Sequence, residues 1–223
     1  MKKTYLSTLL IAAAMLLGLA SCTNKGGPWD FDDLDGRGRG HGNSGGQGNG
    51  NGNIDSLPLE SLSAAEKDAI LYMVEEEKLA RDVYITLYDK FNQRIFDNIS
   101  KAEQRHYDAL DGLINKYKLV NPVKTMDVGR FANADLQKLY FALVKAGSKS
   151  ANDALLVGIE IEDLDIADIL NYLKKVDNKD ITIVLNNLEK GSENHLRAFY
   201  RSLKAAGVSY SPNIFLKNCL IKL

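Results

Sequence analysis

Four stretches of this chain space their apolar side chains at alternating steps of three and four residues. In each, the stripe is interrupted by a polar residue that belongs to it by position. The first stripe reads Ile70, Met73, Glu77, Ala80, Tyr84, Leu87 and Phe91, and the second Phe96, Ile99, Glu103, His106, Leu110, Leu113 and Tyr117. The third reads Leu155, Ile159, Glu162, Ile166, Ile169 and Leu173, and the fourth Ile181, Val184, Leu188, Ser192, His195 and Phe199. Such spacing puts each set on one face of an α-helix. Four long helices with one apolar seam each can bury those seams only against one another, so the chain reads as all-α, a four-helix bundle built from two helical hairpins.

Punctuation between the stripes supports this division. Ser63-Ala-Ala-Glu66 fits a capping box at the start of the first helix, and a turn is predicted near Asn92. Pro122 and Gly129 break the pattern before a shorter helix from about Ala134 to Lys145, with Leu136, Leu139, Tyr140 and Leu143 apolar, which reads as the crossover. The third long helix is expected to start near Ser150, and Val176-Asp177-Asn178 reads as the second hairpin turn. After Gly207 and Pro212, the short apolar run Ile214-Phe215-Leu216 is expected to pack across the bundle.

The inward polar residues also share a level. Glu77 lies fifteen positions before Asn92 and His106 fourteen after it; Glu162 lies fifteen before Asp177 and Ser192 fifteen after, with His195 one turn further. At the rise of an α-helix each of these distances is about 22 Å from its turn, which predicts one polar layer. The segment from Glu103 to Leu110 also matches that from Ser192 to Phe199 in the His, in the Ala three residues later and in the large apolar residue after it, a weak internal repeat.

Three carboxylates and two imidazoles in one buried layer need a partner, because an unpaired ionised carboxylate in an apolar interior costs several kcal/mol. A hard or borderline cation satisfies all five, and Glu77, Glu103, His106, Glu162 and His195 are therefore the expected metal ligands. Competing readings stand beside this one. Ser100-Lys-Ala-Glu103 also fits a capping box, the histidines can be core residues with ordinary partners, and Glu160 competes with Glu162. Tyr84 reads as core with a satisfied hydroxyl or as a donor or redox-active group beside the layer, and Arg81 as solvated.

The stretch Glu77-Lys-Leu-Ala80-Arg81-Asp-Val-Tyr84, the Glu103-x-x-His106 pair, the inward Glu162 and the late His195 are similar to the ligand order of ferritin-like proteins, rubrerythrins in particular. From about Ser63 to Leu203 the chain more closely resembles a bacterial family, domain of unknown function 2202, assigned to the ferritin-like superfamily. Ile161-Glu162-x-x-Asp165-Ile166 and Gly191-Ser192-x-Asn194-His195-Leu196-Arg197-Ala198-Phe199 also carry that resemblance. The resemblance implies a ferritin-like bundle and iron chemistry toward oxygen or peroxide. It also exposes a departure, since Ser192 stands where the di-iron pattern has a second Glu-x-x-His; Asp165 or Glu76 are the carboxylates near enough to substitute.

The ends of the chain suggest where the protein works. Lys2 and Lys3 precede an apolar run from Leu9 to Ala20, and residues 1–21 read as a signal peptide. Leu19-Ala20-Ser21-Cys22 resembles the lipobox of bacterial lipoproteins, which implies a lipidated Cys22 and a membrane partner through that anchor, in the bacterial cell envelope outside the cytoplasm. Residues 22–60, rich in Gly and Asn, are expected to form a flexible tether, and residues 61–223 the helical domain. Without the signal the chain carries 26 basic and 29 acidic residues, a balance that argues against nucleic acid as partner. Cys219 is then the one cysteine besides Cys22, so no intramolecular disulfide supports the fold. The oligomeric state is not legible.

Three functions are compatible with this layer. The first is a protein binding one or two transition-metal ions, iron foremost and manganese or zinc as alternatives, with oxidoreductase chemistry fed by an external electron donor. The second is non-catalytic metal binding, and the third a metal-free structural or interaction module.

Overall fold

The computed structural model describes residues 54–210. After a 3-10 turn at Ile54–Ser56 it contains five helices and, among the described residues, no strand: α1 (Ala64–Phe91), α2 (Arg94–Lys116), α3 (Ala134–Gly147), α4 (Ala151–Leu173) and α5 (Lys179–Ala205). The expected signal peptide, Cys22, most of the tether and the Ile214-Phe215-Leu216 run lie outside the described residues. Among those described, no helix is long and apolar enough to cross a membrane.

Local sequence sets the boundaries. The Ser63 hydroxyl accepts from the Glu66 amide while the Glu66 carboxylate accepts from the Ser63 amide, the reciprocal capping box. Asn92 ends α1 in the left-handed region at φ 51°, a conformation Asn tolerates better than most residues. Asn133 and Ser150 cap α3 and α4 by accepting backbone hydrogen bonds through their side chains. At α5 the cap residue Asn178 makes no such bond; Glu66 accepts instead from the amides of Asn178 (2.8 Å) and Asp177 (3.3 Å), which ties the first turn of α1 to the second hairpin.

Helices α1 and α2 pair as one hairpin, α4 and α5 as another, and the hairpins meet through α1 against α4 and α2 against α5. Helix α3, in the long connection, packs on α1 and α4. The core falls into two apolar halves. One contains Val83, Tyr84, Phe96, Ile99, Leu155 and Phe199, the other Ile70, Met73, Leu110, Leu113, Val184 and Leu188. On α1 the change from one half to the other falls between Val74 and Leu79, on α2 between Ile99 and Tyr107, and on α5 between Leu188 and Leu196. The inward polar residues occupy that seam.

Helix α2 begins at Arg94, ahead of Phe96 as its stripe predicts, so Glu103 lies in its third turn and is not part of a cap; the Ser100 hydroxyl donates to the Asp97 carbonyl. Two expectations are corrected. Arg81 is buried, not solvated. It donates to Asp82 (2.9 Å), Gln104 (2.5 Å) and the Met126 carbonyl (2.8 Å), because the α2–α3 connection folds back over this side of α1. Beside it the fully buried Lys78 donates to Asp82 (2.5 Å) and to the carbonyls of Asp127 and Arg130. The crossover helix also runs two residues beyond Lys145.

Candidate metal centre

Glu103 is the hub of the polar layer. Its Oε2 lies 2.8 Å from His106 Nδ1 and its Oε1 2.8 Å from His195 Nδ1, so one carboxylate spans both imidazoles. A second carboxylate flanks each ring: Glu77 Oε2 is 3.2 Å from His106 Nδ1 and Glu162 Oε2 is 3.5 Å from His195 Nδ1. The two rings stack with centroids 5.4 Å apart. All five sequence-predicted ligands therefore converge. Among the described residues, Glu103, His106 and His195 form the group with one donor atom each inside a 4.8 Å span.

The internal symmetry follows the repeat read in the sequence, with a shift in level. In the second hairpin His195 faces Glu162, and Ser192 donates a short hydrogen bond to Asp165, one turn along α4. Those two pairings share a midpoint between Asn178 and Lys179, so the apex of the hairpin is past the expected Asp177 and the partner of Glu162 moves by three residues, nearly a full turn, from Ser192 to His195. Ser192 is fully buried and also reaches the Leu188 carbonyl (3.1 Å). Asp165, weighed as a substitute for the missing α5 carboxylate, is thus held beside the place where that carboxylate would be. Glu76 lies beside Tyr72 and Asp168, with Asp165 and Glu77 also near enough to feel its charge.

Two further residues shape the layer. The Tyr84 hydroxyl donates to Glu162 Oε1 at 2.5 Å and stands among Phe96 and Phe199, so it is both core and a direct hydrogen-bond donor to the layer. Gly191 was visible only as part of a motif. A Cβ there would come within 2.4 Å of His106 Nε2, so the missing side chain is what lets the imidazole lie against α5. A pattern of apolar periodicity carries no signal for such an approach.

Protonation reflects burial and the crowding of charges. Burial pushes Glu77 and Glu162 up to about 7. Burial acts in the same direction on Glu103, but His195 and His106 outweigh it and hold that carboxyl below the usual range. Burial lowers the imidazoles, yet the carboxylates win, Glu77 foremost for His106, which stands well above its ordinary value, and Glu103 foremost for His195, which reaches about 10. Burial, then Glu77 and Glu162, raise Asp165.

Hydrogen bonding within the layer is incomplete. Glu77 Oε1, Glu103 Oε1 and His195 Nδ1 are buried and have no hydrogen-bond partner among the described residues, although the last two are only 2.8 Å apart. Those two groups are a close ion pair whose geometry falls short of a well-formed hydrogen bond. Ligands around an ion with bonds of about 2.0–2.2 Å lie about 2.9–3.5 Å from one another, close to the spacings found here. Two carboxylate oxygens and an imidazole nitrogen that lack a well-formed hydrogen bond in a buried layer are a donor set suited to a cation.

Comparison with known proteins agrees on the fold and extends its range. The uncharacterized protein MJ0754 of Methanocaldococcus jannaschii is 50% identical over 164 residues, spanning 74% of this chain and 89% of that protein. The crystal structure of the hypothetical protein MJ0754 from Methanococcus jannaschii matches with a TM-score of 0.69 at 51% identity, over 71% of this chain and 90% of that one. These relatives are archaeal, so the likeness is not confined to bacteria. With residues 66–219 matched by its model, the chain belongs to the family described as uncharacterized protein domain (DUF2202).

Proposed function

We propose that this protein is a ferritin-like metal-binding protein: the four long helices form the bundle, α3 is its crossover, and the polar layer holds one or two transition-metal ions, iron foremost. The observation that carries the reading is the unsatisfied convergence of Glu103 Oε1 and His195 Nδ1 at 2.8 Å, in a buried layer with Glu77 Oε1 also unpartnered. Glu77 with His106 would hold one ion and Glu162 with His195 another, with Glu103 shared between them.

Each neighbouring residue has a task in this scheme. Glu103 carries the negative charge that both half-sites share, and the proton held near His195 has to leave before its nitrogen can act as a ligand. Tyr84 orients Glu162 by donating to the oxygen that does not face His195. Ser192 fixes Asp165 near the position of the absent fourth carboxylate, which supplies charge there from α4 instead of α5. Bound iron would supply one-electron chemistry toward oxygen or peroxide, and Cys219 alone offers no second metal cluster, so electrons would come from an external donor. Anchoring through a lipidated Cys22 would place this chemistry in the cell envelope.

The test is metal content and oxygen consumption of the purified protein. Mass spectrometry is expected to find one or two equivalents of iron, manganese or zinc, lost on Glu103→Ala. Uptake of oxygen or peroxide on adding ferrous ion would support the oxidoreductase, and metal without uptake would leave a binding protein. No retained metal, together with a melting temperature indifferent to excess metal, would sink the proposal.

A further inference from the structure

Where α3 covers α1 and α4 lies a cavity of about 30 Å³, walled by Leu79 and Ala80 of α1, Leu139 and Leu143 of α3 and Ile161 and Leu164 of α4, with the carboxyl groups of Glu76, Glu160 and Asp165 at its edge. The Glu160 Oε2 and, two turns along α4, the Asp168 Oδ2 are buried and have no hydrogen-bond partner among the described residues. Leu170, seven residues beyond Asp163, is 41% exposed. This face of α4 is therefore apolar and acidic; the Asp168 carboxyl group has Glu76 and the Lys175 charge beside it, and Glu160 Oε2 has no hydrogen-bond partner among the described residues.

The chain itself leads there. Phe199 packs on Gly158 and His195 lies near Glu162, so the end of α5 is level with the start of α4. Gly207, at φ 75°, turns the backbone, and Val208 and Tyr210 then pack against the core, with Tyr210 close enough to Glu160 and Asp163 to feel their charge. In those few residues the chain has moved from the first turn of α4 to its third. The next thirteen residues, Ser211 to Leu223, include Ile214-Phe215-Leu216 and Leu220-Ile221, with Lys217 and Lys222 as the charged side chains. The family match continues through residue 219, nine positions past Tyr210, so it takes in Ile214-Phe215-Leu216 and Lys217.

We propose that the C-terminal segment 211–223 docks along the α3–α4 groove, with Ile214, Phe215 and Leu216 over Leu164 and Leu170 and its lysines serving Glu160 and Asp168. Reach is adequate: four to six residues past Tyr210 extend about 13–20 Å, and Glu160 to Leu170 is a rise of about 15 Å. Apolar side chains meet apolar walls, and two cations meet an acidic face on which Glu160 Oε2 has no hydrogen-bond partner among the described residues.

The test uses the full chain with Phe215 replaced by the photo-cross-linker p-benzoylphenylalanine, irradiated as an equal mixture of isotopically light and heavy protein. Cross-links within one copy to residues 139–143 and 160–170 are expected, at least tenfold over those to any other segment. Light-to-heavy cross-links would assign the groove to a second copy, and cross-links elsewhere or none would leave it to another partner; each overturns the proposal. As a second measurement, the double variant Ile214→Asp, Phe215→Asp is expected to keep its helical circular dichroism and to melt about 5 °C lower or more, as loss of two apolar anchors implies. An unchanged melting temperature would overturn the docking as well.

Discussion

Gly191→Ala separates helix stability from metal binding, because the two should move differently. In the middle of α5 a Gly-to-Ala change favours the helix by about 1 kcal/mol. The added Cβ, however, would be 2.4 Å from His106 Nε2 and 2.5 Å from Cε1, while ordinary contact begins near 3.4 Å, so the ring must retreat by about 1 Å. Metal–ligand distances tolerate only about 0.2 Å. The imidazole would be pulled from its place 2.8 Å from Glu103 and 3.2 Å from Glu77, and one ligand of the five would be lost. We expect metal affinity to fall by at least about 100-fold, on the order of 2.7 kcal/mol. Overpacking of about 1–3 kcal/mol offsets the helix gain, so the metal-free melting temperature should change by only a few degrees. Competition against a chromophoric chelator gives the affinity and circular dichroism the melting. Gly112→Ala on α2, where a Cβ meets nothing within 4 Å, is the control and should leave affinity intact. Unchanged affinity in Gly191→Ala would refute the assignment of His106 as a ligand held against α5.

Two other perturbations follow from the same structure. Uptake of metal should release protons, since His195 near 10 and Glu77 and Glu162 near 7 hold protons that the ion displaces; affinity should rise from pH 7 toward 10 and rise more steeply below 7. The metal-free protein has the opposite slope, because raised folded values favour it below the unfolded values of about 4.3 for Glu and 6.5 for His, and that advantage is lost as pH climbs through 7 and then 10. Calorimetry in buffers of different ionisation enthalpy checks the first, and melting against pH with and without metal checks the second; parallel slopes would contradict both. Asp82→Asn leaves Lys78 buried with its carboxylate partner gone and Arg81 with one anchor fewer, and should cost about 3–5 kcal/mol in urea unfolding. A cost below about 1 kcal/mol would mean that the cluster opens to water.

Most of the helical framework was legible because its signals are local. Stripe, capping box and turn residues each act over a few positions, and Ser63, Asn92 and Ser150 mark helix ends as read. The layer was legible because helical rise converts sequence distance from a turn into height. What escaped depended on contacts between distant segments. Arg81 looked solvated because nothing nearby announces that residues 126–130 fold over it, and Gly191 stood out only within the family motif because its role is the space it leaves for a ring on α2. The level of the second hairpin was misplaced because Asn178 closes its turn without a side-chain cap, using Glu66 from α1 instead.

From Glu76 to Tyr84 nine consecutive residues of α1 are buried, five of them charged at neutral pH in an isolated chain. Adjacent positions on a helix point about 100° apart, so this segment has no outward side at all. Glu77 faces the layer while Lys78, Arg81 and Asp82 grip the connection behind it. A slip of one residue one way would turn Lys78 toward His106 and leave apolar Leu79 at the carbonyls of residues 127 and 130; a slip the other way would set the Glu77 carboxylate against those carbonyls. The part of the chain that hydropathy would assign to the surface is its axle, and its rotational setting is encoded twice, from opposite directions.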